Sequence, residues 1–444
     1  MRGRDEPEIV EARETRHGPI LDAYLLGAAQ TVVVPLARDA YALRFVGLDH
    51  GIQASTTYAI NVAGTWEEFR EAARGWHCPG QNMVYADVDG NIGYQCTGLH
   101  PIRRAGDGTV PVPGWTAEHE WDGFVPYDEL PRSLNPGDGF IVTANQKPHD
   151  DSYPWLLGRD FLPAYRARRI AQLLAERPVH DAAGFARIQM DTVSLPAAEI
   201  LPNLLTVAPE TERARAAIAL LREWDRSVGS GSAAAAIYEV WLERIAEAIL
   251  APTLGEDLFR HYHSLRQGTN AFQFQALANL LAVPTARWFG RGGHEARDRL
   301  LAETLDDALD ELTEALGDDT ANWRWGDLHQ VRFAGPLAAI PELAEVFTAG
   351  TAPHGGDEQT VLQGMFEPGE GYAAAIIPSW RQIIDLADLD RSLGTHAPGQ
   401  SGNPASPHFA DLLPLWRDGK LHPMPFTRPA VVAAGVSTLR LLPR

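Results

Sequence analysis

The stretch GFIVTANQKP, residues 139–148, is the part of the sequence on which the fold prediction depends most. Residues 140–143 are apolar or β-branched, which predicts a short strand, and Asn145 follows at its end. Turn residues, NPGDG at 135–139, come directly before it. Polar groups held at the end of a rigid element often bind ligands, so Asn145 is a candidate site residue.

Two neighbouring stretches extend this prediction in both directions. On the N-terminal side, YADVDGNIGY at 85–94 predicts two strands joined by a tight turn, because Asp-Gly supplies the positive φ that such turns require. On the C-terminal side, YRARRI at 165–170 predicts the start of a helix and places Arg166 in its first turn. Arg166 is therefore the second candidate site residue.

Composition limits the possible classes of protein. A hydrophobic fraction of 45% and a charged fraction of 22% over 444 residues are typical of globular proteins. The net charge of -20 argues against nucleic-acid binding, which needs a basic surface. No apolar run reaches the roughly 18 residues of a membrane span, so none is expected. The polar start lacks the apolar core of a signal peptide, which favours a cytoplasmic location for the chain as given.

The order of the predicted elements indicates an α+β fold with three segments. Residues 1–165 are predicted to be mainly β, residues 166–320 a mainly helical lobe, and residues 321–444 a return to strands. The β prediction for the first segment rests on three stretches rich in β-branched and aromatic residues: TVVVPLA at 31–37, YALRFVGL at 41–48 and TTYAINV at 56–62.

Several local signals fix individual elements. Thr65 and Glu68 have the spacing of a capping box, which predicts a helix to about residue 74. Strands are predicted on both sides of Pro378-Ser379 and at the C-terminal STLRLLP, residues 437–443. The region EARDRLLAETLDDALDELTEAL predicts the longest helix, with an apolar stripe at helical spacing. The stripe consists of Leu300, Leu301, Leu305, Ala308 and Leu312.

Other residue types that often carry chemistry give weaker signals. Cys78 and Cys96 could pair, but two cysteines in so long a chain specify nothing. His261 and His263 have no third metal ligand at a useful spacing. Ser401 lacks the second glycine of a nucleophile elbow, so we expect a loop serine. For two further histidines, His17 and His408, we expect structural hydrogen bonds.

Taken together, the motifs resemble the β-subunit of the penicillin acylase (penicillin amidase) family of N-terminal-nucleophile hydrolases. The central matches are YADVDGNIGY, TGLHPIRRAGDG, VPVPGW, GFIVTANQKP and YRARRI, in that order. TRHGPIL before them, and WRWGDLHQVRF and GQSGNPASPHFADLLPLW after them, extend the resemblance over nearly the whole chain. The individual motifs are weak, but their order and spacing are specific.

The resemblance implies a four-layer αββα sandwich of antiparallel sheets, incomplete here, with an inserted helical lobe. It also implies an amidohydrolase that cleaves linear amides, such as acyl side chains of β-lactams or acyl-homoserine lactones, through a serine acyl-enzyme. The family's nucleophilic serine would precede residue 15, so the chain is expected to be inactive alone and to need the missing N-terminal portion or an α-subunit. The alternatives are an inactive remnant and one half of a two-chain acylase. Family members are usually periplasmic or secreted, unlike the cytoplasmic location expected for the chain as given.

The resemblance also assigns roles to particular residues. It implies that Asn145 supplies part of the oxyanion hole and that Arg166 orients the catalytic amide in the same pocket. It further implies a structural calcium ion, of which most ligands would lie outside this chain. Asp160 could contribute a carboxylate to it, and the Asp107-Gly108 region a carbonyl.

Overall fold

The computed structural model describes residues 13–21, 40–51, 54–264 and 273–442, and all structural statements below concern these residues. The chain forms two compact units, Met1–Phe161 and Leu162–Arg444, which are described separately. The three segments expected from the sequence remain a prediction about how the chain is organised.

The described residues of the first unit form three small antiparallel sheets and three α-helices. The sheets have the strand orders β1-β2-β3, β4-β5-β8 and β6-β7. The strands are β1 Glu14–Thr15, β2 Gly18–Leu21, β3 Tyr41–Ala42, β4 Asn82–Ala86, β5 Ile92–Cys96, β6 Pro101–Arg103, β7 Trp121–Phe124 and β8 Arg132–Leu134. The helices are α1 Val46–Asp49, α2 Ala54–Val62 and α3 Trp66–Ala73.

The predicted hairpin is confirmed as β4 and β5, which pair from Asn82 with Cys96 to Ala86 with Ile92. Its turn is closed by Asp87, whose Oδ1 accepts hydrogen bonds from the backbone N–H of Asp89 at 3.0 Å and of Asn91 at 2.9 Å. Such side-chain bonds stabilise the turn through contacts within a few residues.

The predicted capping box is also confirmed, with one difference. The Thr65 hydroxyl accepts from the Glu68 N–H at 3.2 Å, while the Glu68 carboxylate accepts from the N–H of Gly64 at 2.7 Å, one residue before the cap. The helix α3 buries Trp66 and Phe69. The Trp66 ring covers Gly93 of β5 so closely that a Cβ there would lie 2.4 Å from it, which fixes the helix on the sheet.

The strand predictions around residues 41–62 are partly wrong. Only Tyr41–Ala42 of YALRFVGL forms a strand, and its later part forms α1. TTYAINV lies in the helix α2. β-Branched residues favour strands mainly where they pack against neighbouring strands. A helix forms its backbone hydrogen bonds internally and needs no such neighbour. The stretch TVVVPLA lies outside the described residues.

The second unit contains a helical lobe together with shorter helices near the C-terminal end. Its helices are α4 Tyr165–Ala175, α5 Ala182–Gln189, α6 Leu195–Leu204, α7 Glu212–Glu223, α8 Ala233–Leu254, α9 Glu256–Tyr262, α10 Gln273–Ala282, α11 Ala286–Phe289, α12 His294–Leu316, α13 Trp325–Leu328, α14 Leu413–Arg417 and α15 Arg428–Ala434. The centre of the lobe is α8, which is apolar nearly all round and therefore buried. The Trp241 indole of α8 donates to Thr304 of α12 at 3.1 Å.

The predicted apolar stripe of α12 is confirmed. Leu301, Leu305, Ala308 and Leu312 are buried in the lobe core, and Leu300 packs against its edge. The helix ends at Gly317, whose φ of 87° is easily reached only by glycine.

The remaining strands of the second unit form two further sheets. These have the orders β10-β9-β12-β11 and β13-β14-β15. The strands are β9 Gln330–Ala334, β10 Thr348–Pro353, β11 Met365–Phe366, β12 Ala374–Ile376, β13 Trp380–Ile383, β14 Leu393–His396 and β15 His422–Pro423. Because β12 runs parallel to β9, the first of these sheets is mixed rather than purely antiparallel as expected.

Of two strand predictions in the C-terminal part of the chain, one is confirmed and one is wrong. The strands on both sides of Pro378-Ser379 are confirmed as β12 and β13. The strand expected at 437–443 is wrong for residues 437–442, which have no regular structure, and Pro443 lies outside the described residues. In the described part of the chain, no helix is both long and apolar enough to cross a membrane.

Candidate functional site

Asn145 lies in an irregular turn of the first unit rather than at the end of a strand. The strand expected at residues 140–143 is wrong, because this segment has no regular secondary structure. The turn is held by Gln146 instead. Its side-chain oxygen accepts from the Ala144 N–H at 2.7 Å, and its amide nitrogen donates to the Val142 carbonyl at 3.1 Å.

The backbone of Asn145 is left-handed, with φ of 68°. Non-glycine residues adopt this conformation infrequently, and asparagine is one of the side chains that tolerate it best. The residue is exposed, while Ala144 beside it is buried. The two hydrogen bonds of Gln146, which we call the Gln146 clasp, therefore hold a turn in which an exposed asparagine has a strained backbone. Strained residues are found disproportionately at functional sites.

The segment after Asn145 is anchored by its own contacts. Lys147 forms an ion pair with Asp151 at 2.6 Å. The Tyr153 hydroxyl donates to the Glu129 carbonyl at 2.9 Å, and the Trp155 indole donates to the Glu129 carboxylate at 2.7 Å. These bonds hold the loop without a strand.

The described residues do not by themselves fit a calcium site at Asp160. Asp160 is exposed. The Asp107 carboxylate already accepts from the Thr109 hydroxyl at 2.6 Å and lies 3.1 Å from the Arg159 guanidinium. No group of three or more His, Cys, Asp or Glu side chains in the described ranges could hold a metal ion. Calcium bound through Asp160 stays a prediction that requires ligands from elsewhere.

Arg166 lies in the first turn of α4, in the second unit, as expected. Burial lowers the pKa of its guanidinium, and the nearby carboxylate of Glu358 acts in the opposite direction. The pocket that the sequence predicts for Arg166 together with Asn145 remains a prediction. Within the second unit, Arg166 interacts electrostatically with the carboxylate of Glu358.

Glu358 belongs to a buried segment, residues 354–364, which we call the acidic loop. The Gly356 N–H donates to the Val228 carbonyl at 2.6 Å, the Trp325 indole donates to the Gly356 carbonyl at 3.0 Å, and the Leu362 N–H donates to the Asp191 carbonyl at 2.9 Å. Asp357 and Glu358 are both buried. Buried carboxylates are costly, and these three hydrogen bonds help to hold the loop that carries them.

Two more buried carboxylates face the acidic loop from α8. Glu239 and Glu243 have only 2% and 6% of their surface exposed. The Glu243 carboxylate accepts from the Gln273 amide at 2.8 Å and lies 3.1 Å from the His263 ring. Burial raises the pKa of Glu358 to about 8 and of Asp357 to about 6, and it raises that of Glu239 well above its usual value.

The cluster was not among the predicted site residues, although the sequence contains a signal for it. Glu239 and Glu243 are four residues apart in the run AAAAIYEVWLERIAEAIL, whose other charged residues are Arg244 and Glu247, so both lie on one face of a buried helix. Charged residues are almost never fully buried without partners, so this spacing could have marked the cluster.

The minor candidates behave structurally, as expected. The His17 ring bonds the Glu120 carboxylate at 2.9 Å, and His408 bonds Asp411 at 2.7 Å. The Ser401 hydroxyl accepts from the Asn403 N–H within a loop. The open question of a disulfide is also answered, since Cys78 and Cys96 are free thiols.

A family model described as penicillin amidase matches residues 1–433. The chain belongs to the penicillin amidase family. Among family members, the penicillin acylase 2 proenzyme of Pseudomonas sp. (strain SE83) is 31% identical over 438 residues, which are 97% of this chain and 54% of that protein. The acyl-homoserine lactone acylase QuiP of Pseudomonas aeruginosa is 29% identical over 445 residues, 93% of this chain and 52% of that protein.

A solved structure supports the same fold. The thermostable penicillin G acylase from Alcaligenes faecalis superposes with a TM-score of 0.67 at 22% identity, covering 100% of this chain and 80% of that chain. The penicillin amidase family member described here is therefore a mixed α and β protein of penicillin acylase fold, while the four-layer sandwich stays a prediction. The chain spans about half the length of the curated relatives that it matches.

Proposed function

We propose that this chain is one part of an amidohydrolase that cleaves a linear amide through a serine acyl-enzyme. The substrate class is an acyl amide, such as the side chain of a β-lactam or an acyl-homoserine lactone. Membership of the penicillin amidase family supports the reaction class, and the names of the two relatives support the two substrate types. The observation that carries the proposal within this chain is the exposed, left-handed Asn145 held by Gln146.

In the proposed reaction the nucleophile is a serine outside this chain. Its hydroxyl oxygen attacks the amide carbonyl and its proton passes through water to the serine's own α-amino group. The carbonyl oxygen becomes an oxyanion, which accepts a hydrogen bond from the Asn145 amide. Collapse of this intermediate expels the amine, which takes the proton, and water then hydrolyses the ester. A neutral amide suits this position because it donates without changing its charge.

Arg166 is proposed to orient polar groups by hydrogen bonding. Its planar guanidinium can donate several hydrogen bonds in fixed directions, which a lysine could not reproduce. The electrostatic interaction with Glu358 supports such a role, since a buried carboxylate limits the positions that the guanidinium can take.

The length of the chain, compared with that of its relatives, supports a further polypeptide segment in the proposed enzyme. The relatives are about twice as long as the part that matches, so the proposed enzyme needs a further portion that supplies the nucleophile. One half of a two-chain acylase and a longer single precursor both meet this requirement.

Hydrolysis of a chromogenic phenylacetyl anilide and of an acyl-homoserine lactone tests the proposal. We expect the 444-residue chain alone to release no product above the buffer rate, because the proposed nucleophile lies outside it. We expect activity when the chain is produced together with the polypeptide encoded directly upstream of it.

Two results would count against the proposal. Turnover by the chain alone, abolished by one internal Ser→Ala substitution, would place the nucleophile inside residues 1–444. A properly assembled complex that hydrolyses neither amide would exclude the proposed substrate class.

A further inference from the structure

A small cavity lies inside the helical lobe, between α8, α10 and the acidic loop. We call it the acidic cavity; its volume is about 20 Å³. It is lined by Glu239, Glu243, Gln273, Phe274, Glu358 and Phe366, among others. A polar cavity of this size has room for about one water molecule and too little for an organic ligand.

Two carboxyl oxygens at this cavity lack a protein partner. Within the described ranges, Glu239 Oε1 and Glu358 Oε1 are buried and accept no hydrogen bond. Both residues line the cavity, and both are more than nine-tenths buried. An unpaired buried carboxylate costs far more than a neutral hydroxyl, so these atoms need either a proton, a cation or a water molecule.

The charges around the cavity do not balance when every carboxyl is ionised. Among the described residues, Glu239, Glu243 and Glu358 line it. The titratable groups that interact with these carboxyls are Arg166 of α4, Tyr238 of α8, His263 after α9 and Asp357 of the acidic loop. The amide of Gln273 on α10 is neutral and already donates to Glu243. Within the described ranges, the three lining carboxyls and the carboxyl of Asp357 are therefore balanced by only one guanidinium and one imidazole.

A bound metal ion does not account well for the excess of negative charge. No three side chains of the types His, Cys, Asp and Glu are grouped in the described residues so that they could hold one. A proton needs only one carboxyl oxygen and a nearby acceptor, and one water molecule can link two carboxyls across the cavity.

We propose that the acidic cavity is a proton-binding site in which one water molecule bridges Glu239 and Glu358 and at least one of these carboxyls stays protonated at neutral pH. Protonation turns one carboxyl oxygen into a donor and leaves the other oxygens as acceptors, so the water can satisfy both side chains. At alkaline pH the proton leaves to solvent and the two carboxylates repel each other across a site of low dielectric. The acidic loop, which carries Glu358, is the element that this repulsion strains.

The sign of the pH dependence follows from Glu358. Burial raises its pKa to about 8 despite the opposing charge of Arg166, so the ionised form is the less favourable one in the folded state. Between its ordinary pKa and about 8 the folded state holds a proton that the unfolded state has lost. The free energy of unfolding therefore falls as pH rises through this window and then levels off.

The test is the melting temperature of the full chain from pH 5.5 to pH 9, for the parent and for the isosteric variants Glu358→Gln and Glu239→Gln. We expect each variant to melt close to the parent at pH 5.5 and several degrees above it at pH 9. Glu314→Gln changes an exposed carboxylate of the same lobe and is the matched control, expected to follow the parent throughout. Parallel pH profiles for the parent and both cavity variants would overturn the proposal.

Two measurements on the parent protein make the test independent of how well the variants fold. The infrared carbonyl band of a protonated carboxylic acid should be present at pH 7, and its absence would also overturn the proposal. At pH 9, potassium chloride and choline chloride at equal ionic strength should change the melting temperature equally. Stabilisation by potassium alone would mean that the cavity binds a metal cation instead of a proton.

Discussion

Replacing Asn145 with glycine in the assembled enzyme lowers kcat by about 10²–10³-fold and leaves KM nearly unchanged, if the proposed function is right. The amide would donate to the oxyanion, which exists only in the transition state, so its loss affects turnover more than substrate binding. Glycine is the informative substitution because Asn145 has φ of 68°, which glycine reaches without strain. Asn145→Ala should lose the same turnover and also some stability, since alanine in this conformation costs about 1–2 kcal/mol.

Asn135 provides a matched control within the same unit. It is also exposed and left-handed, with φ of 48°. Its amide, however, is used structurally, accepting from the Ile92 N–H and donating to Asn91 Oδ1, both at 2.9 Å. Asn135→Gly should therefore lower stability and leave kcat unchanged. Full turnover in Asn145→Gly would make the Asn145 turn structural and would place the oxyanion donor elsewhere.

Gly356→Ala should destabilise the second unit by about 4 kcal/mol or more, which is exceptional for a single substitution. Gly356 has φ of 84°, and a Cβ at this position would lie 1.9 Å from the Leu362 carbonyl oxygen. That oxygen cannot move away easily, because it accepts from the Thr360 hydroxyl at 2.8 Å inside the buried loop. The midpoint of urea unfolding, followed by tryptophan fluorescence, measures the effect. Trp325 is a suitable reporter since its indole donates to the Gly356 carbonyl.

Gly371→Ala separates the backbone strain from the steric clash. Gly371 has φ of 89°, close to that of Gly356, but nothing lies within 4 Å of a Cβ built there. We expect it to cost only about 1–2 kcal/mol, the strain of a left-handed alanine. Equal losses in the two variants would mean that the acidic loop can relax around a methyl group and is less rigid than described.

The elements that could be predicted from the sequence are those with local causes. The β4–β5 hairpin depends on the turn around Asp87 and Gly90, and the apolar stripe of α12 depends on helical spacing. Both signals lie within a few residues of the structure that they determine, so no knowledge of the partner elements is needed.

The wrong strand predictions and the missed acidic cavity depend on contacts between residues far apart in the sequence. The β-branched run at 56–62 forms α2, because strand preference needs a neighbouring strand that the sequence does not reveal. Among the described residues, the segment before Asn145 pairs with no strand, and the hydrogen bonds of Gln146 hold it instead. The acidic cavity joins Glu239 to Glu358 across more than a hundred residues, so only the packed structure brings it together.

We propose that this chain supplies the oxyanion donor of an amidohydrolase whose nucleophile lies outside it. Peptide mass mapping after treatment of the assembled enzyme with phenylmethylsulfonyl fluoride, a serine-reactive reagent, tests this most directly. We expect one sulfonyl adduct, on an N-terminal serine of a segment outside residues 1–444, formed together with loss of activity. An adduct on a serine of this chain, with the same loss of activity, would contradict it.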